Sequence, residues 1–457
     1  MLRKFEALFA RLFGASVAGK ILGASALVAG LSALARLVAV ARDLILAAQF
    51  GLGPTLDAFF IALMVYQFVI GVFLVAFNGA FMPTYVAVRT SEGEAEANNL
   101  LRGISGLGLA LLAIVTLVVA LGAGLYLPWL ASGFGPEQIR LTSEIVWLLA
   151  PFLVFSGGVT LWGAVINAGQ KFALPAMTPA LNAGISVAAL LLFGREFGVL
   201  ALAGGMALGA LAEALILAIV LVRRGMPLRP QWGGTHGQLR RVVQEYGASV
   251  AGTAMMASTV VIDQAMATWL GDSQVSALAL GSKVIAFVLM LAAGSLSTAA
   301  IPYASQLAAA GDAASLKALA DRFLKWVLLA TVPLVALLVL FAHPIIAVVF
   351  QRGAFDAKDT ELVAAVHAAF AFQIPFYVMN VLLLRLIAAL RANTIILQGA
   401  AINLALKIVG NLVLMHYWGV IGIAVATVLV YVASFAFLYW RLRGLAGERA
   451  AGLGSAS

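Results

Sequence analysis

No cysteine occurs in the 457 residues, which excludes disulfides and thiolate metal sites. Charge is scarce as well: Asp, Glu, Lys and Arg make up 10% of the chain, against roughly a quarter in an ordinary soluble domain. No G-x4-GK[ST] motif is present, so the sequence carries no phosphate loop for direct drive by ATP. The four histidines, His236, His343, His367 and His416, are scattered without metal-ligand spacing. Between the apolar runs the links are short, leaving little room for the polar loops that a glycosyltransferase or ligase would need.

What fills the chain instead is apolar: 63% of residues are hydrophobic and the mean hydropathy is +1.06. Crossing a bilayer takes roughly 20 such residues. Twelve segments meet that requirement, near 22–49, 57–86, 101–126, 143–168, 174–193, 198–222, 244–270, 275–308, 323–350, 362–390, 395–415 and 418–440. The sequence therefore predicts an all-α polytopic membrane protein with about 12 transmembrane helices. With the N-terminus inside, 19 of the 28 Lys and Arg residues fall in inner segments, four in outer loops and five within spans. That asymmetry predicts cytoplasmic N- and C-termini, and it accounts for the net charge of +9 without nucleic acid. Residues 1–20 read as a basic amphipathic segment lying on the cytoplasmic surface, with no clear cleavage site.

The two halves of the chain repeat one another. Ala80-Phe81-Met82-Pro83 is echoed by Ala299-Ala300-Ile301-Pro302, Pro151-Phe152 by Pro375-Phe376, Leu181-Asn182 by Ile402-Asn403, and Gly198-Val199 by Gly419-Val420. The offset stays within about 216–224 residues. Six crossings per repeat insert both halves the same way up, so two pseudo-symmetric six-helix lobes with a central cavity are expected. The first would span 21–225 and the second 244–442, joined by a cytoplasmic linker over 226–243 and followed by a tail over 443–457.

Charges inside spans mark where such a protein works, because each costs at least ~2.5–3.5 kcal/mol at mid-bilayer. Arg36, Arg42 and Asp43 share the first span, and Asp57 follows a Gly/Pro turn, where it could serve either as a helix cap or as a substrate residue. The second half carries Asp263, Lys283, Arg385 and Lys407, and the repeat offset sets Asp263 opposite Asp43. Glu213 is a lone acid expected to be neutral or hydrogen-bonded between helices. Glycine-alanine runs such as 204–209 suit close helix packing.

Four stretches resemble one family. They are R-x5-RD-x6-FG-x5-DAFF from Arg36 to Phe60, Ala80-Phe81-Met82-Pro83, Asn167 to Pro175 closing on Thr178-Pro179-Ala180-Leu181-Asn182, and Phe350-Gln351-Arg352-Gly353-Ala354-Phe355. The chain is similar there to the MurJ/MviN lipid II flippases of the multidrug/oligosaccharidyl-lipid/polysaccharide exporter superfamily. The resemblance implies a flippase that moves an undecaprenyl-pyrophosphate-linked saccharide to the periplasmic leaflet of the bacterial inner membrane by alternating access. An exopolysaccharide or O-antigen repeat unit and, on the same fold, a multidrug or cation antiporter are the alternatives. By the same resemblance Arg36, Arg42, Asp43 and Asp57 line the cavity. Arg36, Arg42 and Lys283 would converge on the pyrophosphate, which a guanidinium fork grips bidentately, with Asp43 tuning or releasing them. The alternative for Arg42 and Asp43 is pairing with neighbouring helices or snorkelling to the lipid surface.

Three departures from the family pattern stand out. Ile70 and Gly71 replace an Arg pair in the second span, Ser282-Lys283 replaces Asp-Arg in the eighth, and the sequence stops at its twelfth span where lipid II flippases usually add two helices. Some members of the family bind Na⁺ through an acid on the seventh span with an Asn and an acid one turn apart on the eleventh. Here Asn403 is followed by Lys407, which predicts an Asp263–Lys407 ion pair in place of a sodium site. Lys407 snorkelling past Asn411 is the other arrangement. Arg385 could face the cavity or shield the inner gate. No cofactor or metal is expected. Membrane potential and a coupling ion are both open as energy sources, and the expected partners are membrane lipids, the lipid-linked substrate and envelope-synthesis enzymes around a monomer.

Overall fold

A computed structural model describes residues 17–169, 172–226, 236–309, 313–390 and 392–450. The surface segment expected over 1–20 lies outside the described residues except for its last four, which begin a helix, and so do most of the linker and the end of the tail. Among the described residues the chain is built of helices. In order these are α1 (Val17–Phe50), α2 (Pro54–Val69), α3 (Val75–Ser91), α4 (Glu94–Leu121), α5 (Ala123–Leu130), α6 (Pro136–Ala168), α7 (Ala173–Phe197) and α8 (Val199–Val222). The series continues with α9 (His236–Ala267), α10 (Gln274–Ala309), α11 (Ala313–Leu340), α12 (Ala342–Phe350), α13 (Ala357–Ala371), α14 (Gln373–Ala389) and α15 (Asn393–Ala450). A bilayer offers no water to the backbone, so each crossing must satisfy its peptide groups within itself, and a helix does this.

Nine stretches of helix among the described residues are long and apolar enough to cross a membrane, which makes this a multi-pass membrane protein. All twelve segments expected from hydropathy lie on helix, with α1 and α9 supplying two of them. The expected 323–350 span is shorter than hydropathy suggested: the apolar crossing is Ala320–Leu340, and α12 follows as a separate nine-residue helix. The last two crossings run through α15, which breaks at Gly419 with φ 56° and ψ −136°. Gly198, between α7 and α8, has φ 57° and ψ −136°. The two positions that answer each other in the sequence repeat therefore turn the backbone in the same way, in a conformation that a Cβ would disfavour.

By contacts the chain divides into two compact units. The first holds Met1–Leu46, Val65–Pro128 and Ile139–Thr253; the second holds Ala47–Met64, Trp129–Gln138 and Ala254–Ser457.

In the first unit the core is a seam of α3, α4, α6 and α8. Phe77, Phe81 and Tyr85, four residues apart on α3, stack in series with ring centroids 5.5 and 5.4 Å apart, and Leu100, Leu101, Leu161, Val165 and Leu217 close around them. On α8, a Cβ at Gly205 would stand 2.6 Å from the Cβ of Ala189, and one at Gly209 would stand 2.8 Å from the Asn182 carbonyl oxygen. These glycines set how closely α7 and α8 approach, as the glycine-alanine run implied. Glu213 is buried on α8 and shares a hydrogen bond with Thr178 on α7. A five-residue π-helical turn, Ile70–Leu74, separates α2 from α3 at the positions where the resembled family carries its Arg pair.

In the second unit the turn after α1 packs on the turn after α12. Ala354 N–H donates to the Ala48 carbonyl at 2.7 Å, and Leu52 N–H donates to Asp359 Oδ2 at 3.0 Å. Nearby, Gln138 Nε2 donates to the Pro54 carbonyl at 3.1 Å, and Trp269 Nε1 donates to Ser132 Oγ at 2.7 Å. The segments 47–64 and 129–138, which belong to the first repeat in sequence, are thus tied into the second unit at one end of the helices.

Candidate functional site

The first-unit candidates Arg36, Arg42 and Asp43 all lie on α1. Arg36 is exposed, whereas Asp43 is 6% exposed. Neighbours on a helix point about 100° apart, yet an arginine stem is long enough to turn back. Arg42 uses it: Nη2 lies 2.9 Å and Nε 3.2 Å from Asp43 Oδ1. The adjacent pair is therefore joined to itself, with Arg42 only 13% exposed. Arg42 is thus turned onto its own helix neighbour and does not snorkel to the lipid surface. A guanidinium carries five N–H donors, and Asp43 holds this one in place through its Nε and Nη2.

Asp57 calls for a correction. It is completely buried, and both carboxylate oxygens are engaged by another helix: Oδ2 accepts from Ser273 N–H and Oδ1 from Ser276 N–H, each at 2.7 Å. These are the unsatisfied donors at the start of α10, so Asp57 caps α10 rather than its own helix α2, and in this structure it presents no oxygen to a substrate. Ser273 takes φ 72° at this point. The sequence contained both choices, cap and substrate residue, but the helix being capped lies more than two hundred residues away.

In the second unit Lys283, on α10, holds its ammonium 5.9 Å from the ring centroid of the buried Phe60. That contact is of cation–π type, worth about 0.5–2 kcal/mol, and it is made by the residue standing where the family has arginine. Arg385 is exposed on α14.

The most developed polar cluster belongs to Asp263 and Lys407. Lys407 Nζ is 2.8 Å from Asp263 Oδ2 and also donates to Thr427 Oγ1, whose own hydroxyl donates a hydrogen bond to the Ile423 carbonyl. Asn411 Nδ2 donates to Asp263 Oδ1 at 2.8 Å. Lys407 is 2% exposed, so the ion pair is made and the ammonium does not snorkel. Removing one member of such a pair typically costs about 3–5 kcal/mol, because the other is left buried without its counter-charge. The pair opens on a cavity of about 360 Å³ in the second unit, lined also by Gln264, Ser282, Asn403 and Tyr431. Thr427 and Gln264 were not singled out from the sequence, and Asn411 was named only as a residue that a snorkelling Lys407 would pass. The recurrence of polar residues at 403, 407 and 411, one helical turn apart in an apolar span, is the signal that marks this face.

The comparisons agree with this architecture. The family model described as "Lipid II flippase MurJ" matches residues 46–449. A protein of Synechocystis sp. named "Probable lipid II flippase MurJ" is 28% identical over 94% of this chain and 84% of its own length. A Vibrio cholerae protein of the same name is 26% identical over 95% of this chain and 84% of its own. Among solved structures, "Lipid II flippase MurJ, inward closed conformation" superposes with a TM-score of 0.78 at 19% identity, covering 93% of this chain and 91% of that one. An inward-facing multidrug resistance MATE family transporter gives 0.71 at 16% identity over 99% of each chain, so the fold is shared with that structure as well.

Proposed function

The chain belongs to the lipid II flippase MurJ family, and from that premise we propose that it moves an undecaprenyl-pyrophosphate-linked saccharide, lipid II or a related envelope precursor, across the bacterial inner membrane by alternating access. The observation that carries this reading is the family match over residues 46–449, which takes in nearly every crossing. The chemistry of the charges supports it. Arg36 and Arg42 in the first unit and Lys283 in the second are cations within spans, as an anionic pyrophosphate requires and an organic-cation antiporter does not. In this reading the protein is a transporter without a catalytic step, its termini are cytoplasmic, and the two sequence repeats are its moving lobes. Exposed Arg36 is the first cation offered to the headgroup. Arg42, already oriented by Asp43, binds without the cost of ordering its side chain.

The test is complementation of a strain depleted of its lipid II flippase, paired with transport of fluorescent lipid II in proteoliposomes. Wild type restores growth and moves the lipid, while Arg36→Ala and Arg42→Ala, expressed to the same level, do neither. A well-expressed wild type that fails in both assays rejects lipid II as the cargo.

A further inference from the structure

The ion pair in the second unit sits in an environment that a purely structural pair would not need. Two buried amide oxygens of residues lining the same cavity, Asn403 Oδ1 and Gln264 Oε1, accept no hydrogen bond from any described residue. Unsatisfied buried acceptors are costly, about 1–3 kcal/mol each, and they persist where a donor visits. Asn403 is one helical turn before Lys407 on α15, within reach of a lysine ammonium that leaves Asp263. Its amide nitrogen is fixed, donating to Ser434 Oγ at 3.2 Å, so its oxygen faces the opposite way. Lys407 is thus held at one station, formed by Asp263 and Thr427, while the orphaned oxygens of Asn403 and Gln264 line the same cavity.

We propose that Asp263 and Lys407 form a proton-loading site, and that the proton it takes up is the coupling ion of transport. A proton arriving from the cavity forms an O–H bond on the Asp263 carboxylate, and the hydrogen bond from Lys407 Nζ to Oδ2 breaks. The ammonium keeps its three protons and swings to Asn403 Oδ1 and Gln264 Oε1. The site goes from net charge zero to plus one, and loss of the same proton reverses every step. No oxidant or second reactant is involved. Of the elements around the cavity, α15 turns Lys407 and Tyr431 toward Asp263, and α14 brings Tyr377 edge-on to Tyr431 at 5.5 Å. The buried His367 on α13 lies one turn before the cavity-lining Phe370. Helix α10 lines the cavity with Ser282, while its Lys283 lies over Phe60. Among these groups Asp263 is the carboxylate, and it is the one whose protonation frees the lysine.

Proton loading is independent of cargo, whereas the coupling half rests on the flippase reading. The two halves have separate readouts. Infrared difference spectra of the full chain in nanodiscs, without substrate, report a protonated carboxyl stretch on acidification. Wild type shows the band, Asp263→Asn loses it, and Lys407→Gln shows it already at neutral pH because the counter-cation is gone. Asn403→Leu, which keeps the ion pair and removes the Asn403 oxygen, moves the band to lower pH by about one unit or more. A wild-type band that Asp263→Asn leaves intact, or an Asn403→Leu titration identical to wild type, overturns the site. In proteoliposomes loaded with a pH-sensitive dye, proton entry accompanies lipid transport and disappears in Asp263→Asn. Lipid transport without proton entry overturns the coupling. Absence of lipid transport by wild type overturns the flippase reading and the coupling with it, and leaves the infrared result to decide the site.

Discussion

Asp57 and Ser276, 219 residues apart, meet at 2.7 Å through a carboxylate oxygen and a backbone N–H. Their separation falls within the repeat offset, so the early part of α2 and the early part of α10, equivalent positions in the two repeats, are bound directly to each other. The carboxylate works as a cap supplied from elsewhere in the chain. It also holds Ser273 in a left-handed conformation that ordinarily costs an L-residue about 1–2 kcal/mol.

Asp57→Ala should therefore act on stability. Two charge-assisted hydrogen bonds and a cap are lost together, which predicts a loss of about 2–4 kcal/mol and a lower Tm in detergent. Affinity for lipid II, measured on the fraction that remains folded, should stay close to wild type. A variant with unchanged Tm and weakened substrate binding would return Asp57 to the cavity.

Ser273→Gly should be neutral or stabilising by up to about 1 kcal/mol, because glycine takes φ 72° without penalty. Thermal unfolding followed by the fluorescence of the eight tryptophans reads the difference. A clear loss of stability would mean that the side chain is needed at this position.

The neighbouring Arg42 and Asp43 predict an asymmetry between two substitutions. Arg42→Lys keeps the charge but loses the fork that places two nitrogens on Asp43 Oδ1, so lipid transport should fall at least about tenfold. Asp43→Asn leaves Arg42 in the protein without its orienting charge and should weaken headgroup affinity less than removing the arginine. Transport rates for the two variants at equal expression give the ordering, and a fully active Arg42→Lys would sink it.

Lys407 Nζ lies 2.8 Å from Asp263 Oδ2 and neutralises the carboxylate a sodium ion would need, so replacing sodium with choline on both sides of a proteoliposome should leave transport within about twofold. Lys407→Met alone should destabilise by about 3–5 kcal/mol, and adding Asp263→Asn should restore most of the loss. The double-mutant cycle measures the coupling. A coupling near zero would mean that the pair is dispensable to the fold.

Gly353→Ala probes the packed turns of the second unit. Gly353 has φ +60°, and a Cβ there would lie 2.2 Å from the Ala48 carbonyl oxygen. Backbone cannot retreat as a side chain can, so this small substitution should break the Ala354–Ala48 hydrogen bond and lower Tm by several degrees. An unchanged Tm would show that the two turns part without cost.

Much of this protein is written along one dimension. Hydropathy places the crossings, because each must be apolar over a bilayer's thickness whatever its neighbours are. The repeat is visible for a similar reason: Gly198 and Gly419 turn alike because the same local backbone problem is solved twice. The unusual charges were legible as well, since a charge inside a span stands out against its own helix. Partner choice was only partly legible. Asp263 and Lys407 could be matched through a family pattern. The capping of α10 by Asp57, the turn of Arg42 onto Asp43 and the unpartnered oxygen of Asn403 could not, because they depend on which helix ends meet and where a side chain finds a partner. Hydrophobic periodicity says which face of a helix is buried and is silent about the atom on the other side. That atom is supplied by packing, and packing decided which of these charges are structural and which are left to do work.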